Sequence, residues 1–183
     1  MKIIDAFWNF FLFKYYNVII GKNFRCDGRM IIQGRGEYSI GNDVHIISKE
    51  LLNPVGGGKT VLQTLDGGKI SIGNNVGISH AILCAREKII IEDNVLIGGG
   101  TKIYDNDFHS LEYLYRMQNP DRHIRKGQVK IKDGAFIGAH SIILKGVEIG
   151  EHSIVGAGSV VSCNIPNHEI WAGNPAEFIR KIE

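Results

Sequence analysis

The stretch IKDGAFIGAHSIILKGVEIGEHSIVGAGSVV, which runs from Ile131 to Val161, carries an aliphatic β-branched residue at every sixth position. Period six fits neither an α-helix nor a long strand. It does fit short strands joined by sharp corners, in which one large aliphatic side chain per side points inward. The pattern therefore predicts stacked coils that bury ladders of Ile and Val, each coil covering its neighbour. The repeated positions are Ile131, Ile137, Ile143, Ile149, Val155 and Val161.

The same period extends toward the N-terminus, and a second register accompanies it. The aliphatic positions continue at Ile91, Ile97 and Ile103, and as the pairs Ile40/Ile46 and Ile72/Ile78. Three residues after eleven of the aliphatic positions, all except Ile46 and Ile78, comes Gly, Asn, Asp or His. These residue types tolerate a positive φ, so we expect a tight corner there. The corner positions are Asp43, Asn75, Asn94, Gly100, Asn106, Gly134, His140, Gly146, His152, Gly158 and Asn164.

Three interruptions break the period. Ile72 and Ile91 are 19 residues apart, one more than three repeats, which predicts a bulge near Cys84–Lys88. Residues 47–69 lose the phase and are expected to form a loop or irregular coils. Between Ile103 and Ile131 the chain holds one repeat plus 22 residues. A loop of that length in so regular an array indicates a function.

Composition narrows the possible partners and compartments. The formal net charge of +2 is too small to indicate nucleic acid as a partner. The cysteines Cys26, Cys84 and Cys163 are odd in number, lie far apart and form no CxxC motif. This arrangement does not favour a disulfide framework or a zinc knuckle, and it suits a reducing cytoplasm, where we expect the protein.

The first twenty residues, MKIIDAFWNFFLFKYYNVII, are rich in aromatic side chains. Asp5, Asn9 and Lys14 break the apolar run too often for a transmembrane helix, and no small-residue cleavage site follows. Two interpretations remain. The segment is a short helix or strand that caps the end of the core, or residues 1–20 contact the inner face of a membrane peripherally. We assign residues 1–30 to an N-terminal capping segment, 31–165 to the coils with an inserted loop at 104–130, and 166–183 to a C-terminal tail.

Two motifs resemble a known family. The segment Ile137–Glu183 resembles the hexapeptide-repeat acetyltransferases, because GAGSVV followed by a Pro and then AGNPA is that family's usual ending. The motif YDNDFHSL, Tyr104–Leu111, resembles the D-x-D-x-H segment of sugar acetyltransferases of capsule and O-antigen biosynthesis, and is similar to galactoside, maltose and streptogramin acetyltransferases. The resemblance implies an all-β fold, a left-handed parallel β-helix, and a homotrimer with active sites between the prisms. The handedness comes from the resemblance alone.

The resemblance also implies a mechanism. The family's general base is a His on an extended loop, and the matching residue is His109. An imidazole suits this role because its unperturbed pKa of about 6.5 leaves it largely neutral at pH 7. A thioester needs no covalent enzyme intermediate, so direct attack by the acceptor is expected. Asp105 and Asp107 would orient the imidazole, with Asp107 favoured by its place in the motif; alternatively both carboxylates shape the turn.

Acceptor and coenzyme contacts follow from the same resemblance. His80 matches a position near which some relatives carry an acceptor-facing Asn, although an ordinary corner residue is the alternative. Arg116 belongs to a basic loop that would attract coenzyme phosphates or a nucleotide-sugar diphosphate, unless the loop is simply a solvated face. For the late-coil residues, packing at repeat corners is the alternative to coenzyme binding. The expected acetyl-CoA contacts are Gly138, Ala139, Ala157, Gly158, Ser159, Ser162, Pro175 and Arg180.

The expected function is therefore acetyl transfer from acetyl-CoA to a hydroxyl or amine of a sugar, on a small molecule, a nucleotide sugar or a lipid-linked glycan, with no metal. The sequence does not choose between O- and N-acetylation. Two alternatives remain open. One is a non-catalytic β-helix scaffold, which has no need of the long insertion. The other is a metalloenzyme like the γ-class carbonic anhydrases, which needs closely spaced His ligands, whereas no two His here are five residues apart.

Overall fold

The computed structural model describes residues 3–49 and 52–183 of the 183-residue chain. Twenty short strands and two helices follow one another along it. The helices are α1 (Ile3–Tyr15) and α2 (Tyr113–Arg116). The strands are β1 (Ile19–Ile20), β2 (Arg25–Gly28), β3 (Ile31–Gln33), β4 (Glu37–Ile40), β5 (His45–Ser48), β6 (Val61–Thr64), β7 (Lys69–Ile72), β8 (Gly77–Ser79), β9 (Ile82–Ala85), β10 (Lys88–Ile91), β11 (Leu96–Ile97), β12 (Lys102–Tyr104), β13 (Val129–Ile131), β14 (Phe136–Ile137), β15 (Ile142–Ile143), β16 (Glu148–Ile149), β17 (Ile154–Val155), β18 (Val160–Val161), β19 (Glu169–Gly173) and β20 (Ala176–Lys181).

Every third strand pairs in parallel with its counterpart in the next coil, which produces three sheets. Sheet A has the order β1-β4-β7-β10-β13-β16. Sheet B has the order β2-β5-β8-β11-β14-β17-β19-β20, and sheet C consists of β3, β6, β9, β12, β15 and β18 in chain order. The chain winds through A, B and C in turn, so the fold is a left-handed parallel β-helix, as predicted.

The predicted ladders form the core of this prism. In sheet A, each isoleucine of the ladder lies in register with the next and is almost completely buried, which removes a large apolar area from water with each added coil. The period-six prediction is thereby confirmed. The members of this ladder are Ile40, Ile72, Ile91, Ile131 and Ile149.

Nine of the eleven predicted corner residues adopt the left-handed conformation, and Asn106 and Asn164 do not. Asn94 has φ +58°, His140 +60° and Gly158 +72°. At the corner between sheets A and B, the side chain of Asn75 donates to Asn94 Oδ1 and that of Asn94 donates to Asp133 Oδ1, both at 2.8 Å. Polar corner side chains therefore link successive coils outside the apolar core.

The interruptions have local explanations. Ile72 pairs directly with Ile91, so the 19-residue spacing is one coil with one additional residue. That residue lies between β9 and β10, inside the stretch predicted to bulge. The region 47–69 is more regular than expected: β5, β6 and β7 occupy regular places in sheets B, C and A, and the irregular chain is confined between Ser48 and Val61. Residues 50–51 of this region lie outside the described residues.

The N-terminal segment contains both a cap and coil. Helix α1 buries Phe13, whose ring packs edge-on against Phe24 at 5.4 Å between centroids. Strand β1 already pairs with β4, so the coils begin at Ile19, well before the predicted boundary at residue 30. Residues 1–2 of the predicted cap lie outside the described residues. Within the described chain, no helix is long and apolar enough to cross a membrane.

The segment 166–183, predicted as a tail, continues sheet B. Strand β19 pairs in parallel with β17, and β20 folds back antiparallel to β19. The ring of Trp171 packs edge-on against Phe178. This hairpin covers one edge of the last coils.

Candidate active site

The long insertion leaves the prism after β12 and returns at β13, at the corner between sheets C and A. It contains the short helix α2 and is otherwise irregular. A bridge between Asn106 and Lys126 and a backbone hydrogen bond from Gly127 N–H to Asp105 C=O hold its two ends together. The loop therefore projects from a closed base without interrupting the ladders on either side.

Asp105 builds that base. Its side chain is fully buried, and its two oxygens accept the backbone N–H groups of Arg86 and Glu87, each at 2.7 Å. The amide of Asn106 also donates to this carboxylate at 3.0 Å. These donors satisfy the corner that holds the additional residue, and they leave no oxygen directed at His109.

His109 lies on the loop with 71% of its side chain exposed. Its Nδ1 lies 3.0 Å from Oδ2 of Asp121, and the same oxygen accepts the backbone N–H of Ser110 at 3.1 Å. No described residue hydrogen-bonds to Nε2 of His109. A neutral imidazole that donates from Nδ1 to a carboxylate keeps its lone pair on Nε2. The arrangement leaves Nε2 free to accept a proton.

Asp107 has a different partner. Its Oδ1 forms an ion pair with Nζ of Lys145 at 2.6 Å, across to the next coil. Its backbone carbonyl accepts the N–H of His109, but its carboxylate does not reach the imidazole. Its second oxygen is buried and has no partner among the described residues. Asp107 therefore anchors the loop to the coil beneath it.

The structure corrects the assignment of the two motif carboxylates. Neither Asp105 nor Asp107 contacts the imidazole of His109: Asp105 accepts backbone amides, Asp107 Oδ1 pairs with Lys145, and His109 Nδ1 pairs with Asp121 instead. Both shape the turn, which was the alternative interpretation. The carboxylate that contacts the imidazole is that of Asp121, twelve residues beyond His109. Apart from Glu112 it is the only acidic residue between His109 and the end of the loop, and that scarcity was the one signal that the sequence offered.

Two aromatic rings lie beneath the His109 segment. Tyr104 and Phe108 pack edge-on at 5.1 Å between centroids, and Phe108 holds a φ of +61°. Burial raises the pKa of Tyr104, with a contribution from the neighbouring Cys84. Burial, together with the Asp105 carboxylate, raises the pKa of the Cys84 thiol to about 11. Both groups therefore remain protonated at neutral pH and serve as packing surface.

Of the two residues expected to contact the acceptor, Arg116 binds its own loop, whereas neither ring nitrogen of His80 has a hydrogen-bond partner among the described residues. His80 is buried at the corner between sheets B and C with φ +46°, so it does not face solvent where an acceptor would lie. Its role is that of a corner residue, the alternative interpretation. Arg116 donates from Nη1 to the carbonyls of Ser110 at 2.8 Å and Leu111 at 3.2 Å. It stabilises the loop, while its remaining N–H groups are exposed.

Most of the predicted coenzyme contacts lie together at the corner between sheets B and C. Gly158 N–H donates to the carbonyl of Ala139 at 2.8 Å, which stacks two successive coils there. A Cβ at Gly138 would come within 2.5 Å of the backbone nitrogen of Ala157, so this close stacking requires Gly. The corner between sheets B and C precedes the strands of sheet C, and the insertion with His109 follows them. The two features thus lie on opposite sides of sheet C, which we call its two edges.

Four of the predicted coenzyme contacts have different surroundings. The Ser159 side chain is buried: its Oγ donates to Gly156 C=O at 2.6 Å and accepts Gly173 N–H at 3.1 Å, so only its backbone remains for a coenzyme. Ser162 is exposed just beyond β18. Pro175 and Arg180 lie on the β19–β20 hairpin, and Arg180 is exposed with one Nη1 contact to the carbonyl of Lys181.

The metal-binding potential of the described residues is limited. Within residues 3–49 and 52–183, no group of three or more His, Cys, Asp or Glu side chains lies close enough together to hold a metal ion.

The sequence is similar to those of known transferases. Residues 128–163 match the family described as bacterial transferase hexapeptide (six repeats). A Saccharomyces cerevisiae protein named "Putative acetyltransferase" is 37% identical over 117 residues, which are 63% of this chain and 58% of that protein. A Staphylococcus aureus protein with the same description is 39% identical over 75 residues, 41% of this chain and 36% of that protein. The chain thus matches 58% of the length of the first relative and 36% of the length of the second.

Solved structures extend the comparison over nearly the whole chain. AntD, an N-acyltransferase from Bacillus cereus solved in complex with dTDP and 3-hydroxybutyryl-CoA, is 27% identical with a TM-score of 0.73, covering 96% of this chain and 88% of that one. A variant of AntD was solved with dTDP-4-amino-4,6-dideoxyglucose and coenzyme A. A Vibrio cholerae hexapeptide-repeat acetyltransferase complexed with acetyl-coenzyme A shares the fold, with 23% identity, a TM-score of 0.65, and coverage of 100% of this chain and 80% of that chain.

Proposed function

We propose that this hexapeptide-repeat chain is an acetyltransferase that moves the acetyl group of acetyl-CoA to a hydroxyl or amine of a sugar, with His109 as general base and Asp121 as its orienting carboxylate. The observation that carries the proposal is the contact between His109 Nδ1 and Asp121 Oδ2, at 3.0 Å on an exposed loop, with Nε2 unpartnered among the described residues. This is the pairing of base and carboxylate that acid–base catalysis requires.

The reaction needs one proton acceptor on the enzyme. Nε2 of His109 removes the proton from the acceptor hydroxyl or amine as the acceptor oxygen or nitrogen attacks the thioester carbonyl. The tetrahedral species then expels the coenzyme thiolate, and the imidazolium returns the proton to that sulfur. Asp121 holds the Nδ1–H and stabilises the imidazolium charge between the two steps. No covalent bond to the enzyme is required.

The similarity to AntD supports a sugar acceptor. That enzyme was crystallised with a dTDP-linked amino sugar and with acyl-coenzyme A ligands. The exposed basic segment of the loop, with Arg122, Arg125 and Lys126, suits the phosphates of a nucleotide sugar. The proposed acceptor is therefore a sugar carried on a nucleotide or on a related glycan precursor.

We further propose that the protein works as a homotrimer. The outer faces of sheets B and C present apolar side chains: Leu96 is 55% exposed and Phe136 44%. On sheet C, Ile82, Ile142 and Val160 also point outward and are only partly buried. Apolar patches of this kind mark subunit contacts. A neighbouring prism against sheet C would lie between the two edges that hold His109 and the proposed coenzyme corner.

The decisive experiment pairs donors with acceptors. The purified chain is incubated with acetyl-CoA or 3-hydroxybutyryl-CoA and with nucleotide sugars, including dTDP-4-amino-4,6-dideoxyglucose, and products are identified by mass spectrometry. We expect a mass gain of one acetyl group on a sugar hydroxyl or amine. Preference for the longer acyl group would correct the donor and leave the mechanism intact. If the chain does not bind coenzyme A, the proposed activity is wrong.

A further inference from the structure

Helix α1 buries Phe13 but directs most of its aromatic side chains outward. Phe7 and Phe10 are each 60% exposed and Phe11 63%, and Trp8 is half exposed. The residues that face the prism include polar ones: Asn9 is buried. A helix at the surface of a soluble protein normally shows the opposite distribution. The remaining exposed large apolar residues of this segment are Ile3, Ile4, Tyr15 and Ile19.

Specific contacts fix this orientation. The amide of Asn9 donates to Gly28 C=O at 2.8 Å, and its Oδ1 accepts Met30 N–H at 3.0 Å. Asp5 forms an ion pair with Arg29 at 2.9 Å. Because a buried amide with both hydrogen bonds satisfied is costly to turn out, the helix does not rotate to bury its aromatic face.

The N-terminal part of the chain is rich in basic residues. Between residues 3 and 35 the sequence holds five Lys or Arg and two Asp, whereas the whole chain has a net charge of only +2. Both carboxylates are paired, Asp5 with Arg29 and Asp27 with Arg25. This end of the chain therefore combines exposed aromatic side chains with a cationic rim, defined as Lys14 and Lys22, which are exposed, and Arg29, which lies over the Trp8 ring.

A groove continues the same surface onto sheet A. It begins at the end of α1, at Tyr15 and Tyr16, and encloses about 1000 Å³. Arg35, Lys69 and Lys88 line it; Lys69 pairs with Glu37, the one acidic residue of the lining. The groove therefore has an excess of positive charge directly beside the exposed aromatic residues.

We propose that α1 docks this end of the protein onto an anionic lipid surface, with its aromatic residues at the level of the headgroups and the surrounding cations on lipid phosphates. Aromatic and aliphatic side chains beside Lys and Arg are the composition of helices that lie in a membrane interface. A second copy fits less well, because two such faces in contact would bring their cationic rims together without opposing carboxylates.

The test is co-sedimentation of the full-length protein with phosphatidylcholine vesicles, with and without phosphatidylglycerol. We expect binding to the vesicles that contain phosphatidylglycerol, and weaker binding at high salt, because screening weakens exposed charge interactions. Replacing both phenyl rings in Phe7→Ser/Phe10→Ser should lower the partition coefficient at least about tenfold. Lys14→Glu should lower it about fivefold at low salt. Ile179→Ser, at another exposed apolar position, is the matched control and should bind normally.

Two outcomes would overturn the proposal. One is that the wild-type chain remains in the supernatant with every vesicle composition while circular dichroism shows it folded. The other is that light scattering without vesicles finds an assembly that Phe7→Ser/Phe10→Ser halves in mass, which would identify a second copy as the occupant of the face. Because both aromatic residues are exposed, the variant should retain the wild-type circular dichroism spectrum.

Discussion

Nδ1 of His109 lies 3.0 Å from Oδ2 of Asp121, and the two residues stand twelve positions apart within one insertion. Both belong to the loop, so the pair forms within a single loop and needs no residue of the prism. The same Asp121 oxygen accepts Ser110 N–H, which ties the carboxylate to the residue that follows the imidazole. Asp121 therefore fixes the orientation of the imidazole through contacts with two neighbouring residues, His109 and Ser110.

Removal of the imidazole should abolish most of the activity. We expect His109→Ala to lower kcat by about 10²–10⁴, the usual contribution of a positioned general base. The dissociation constant for coenzyme A should change little, because the proposed coenzyme corner is on the other edge of sheet C. His123→Asn is the matched control, since His123 lies in the same loop at φ +56° and Asn tolerates that conformation. Wild-type turnover by His109→Ala would exclude it as the base.

Separate substitutions of Asp121 and Asp107 distinguish orientation of the imidazole from anchoring of the loop. Asp121→Asn should lower kcat by about 10–100-fold, less than loss of the base, because a misoriented imidazole is still present. KM for acetyl-CoA should be unaffected. Asp107→Asn should reduce thermal stability through loss of the Lys145 ion pair and lower kcat less than Asp121→Asn. The opposite ranking of the two kcat values would restore Asp107 as the orienting residue.

Asp105 should matter for folding. In Asp105→Ala, the backbone N–H groups of Arg86 and Glu87 lose the charged acceptor that the buried carboxylate provides, at about 1–3 kcal/mol each. Asp105→Asn keeps one acceptor oxygen and should cost less. Urea unfolding measures both free energies. Asp66→Asn, an exposed carboxylate that pairs with Arg86, is the control and should change stability by less than about 1 kcal/mol. If Asp105→Ala and Asp66→Asn lower the free energy of unfolding equally, the hydrogen bonds to Asp105 do not stabilise the base of the loop.

The three thiols should differ in reactivity. Burial raises the pKa of Cys26 to about 12 and that of Cys84 to about 11, whereas Cys163 is exposed. A thiol with a raised pKa remains protonated at pH 8, and alkylation proceeds through the thiolate. We therefore expect iodoacetamide at pH 8 to modify one thiol per native chain and three after denaturation. Mass spectrometry of the native protein showing fast modification of Cys84 would mean that the loop base opens.

The assembly can be tested on the outer faces. Light scattering at micromolar concentration should give three chains per particle, and Phe136→Glu on sheet B should produce monomers because a buried charge disrupts an apolar contact. Ile90→Glu makes the same change on the outer face of sheet A, where we expect no subunit contact. A monomeric wild-type protein, or dissociation only by Ile90→Glu, would refute the proposed arrangement.

The fold was readable from the sequence because one rule repeats along it. Each inward Ile or Val is followed three residues later by a corner residue, and a pattern that recurs many times tolerates local exceptions. The regular strand at residues 61–64 was not predicted, because it lies within the segment 47–69 that was expected to be irregular. The irregular chain between Ser48 and Val61 shifts the spacing, and the period cannot be followed across an insertion of arbitrary length.

Only one residue of the proposed catalytic pair could be predicted from the sequence. His109 follows a recognisable motif, whereas Asp121 lies in a stretch with no period, so its position depends on how the loop folds back on itself. Arg116 illustrates the same limit: its charge suggested a ligand contact, but the carbonyls of Ser110 and Leu111 bind its Nη1. In irregular chain, a charged side chain often satisfies the backbone of its own loop, and sequence spacing does not reveal which carbonyl it will meet.

The closed base of the insertion makes the loop exchangeable. Asp105 and Gly127 are joined by a backbone hydrogen bond, and Asn106 bridges to Lys126, so the chain leaves and re-enters the prism at nearly the same point. An insert of another length or composition could span those two points without changing the spacing of the coils. We therefore expect that replacing residues 107–125 by another loop would change the acceptor preference. The coils proposed to hold the coenzyme would keep their structure.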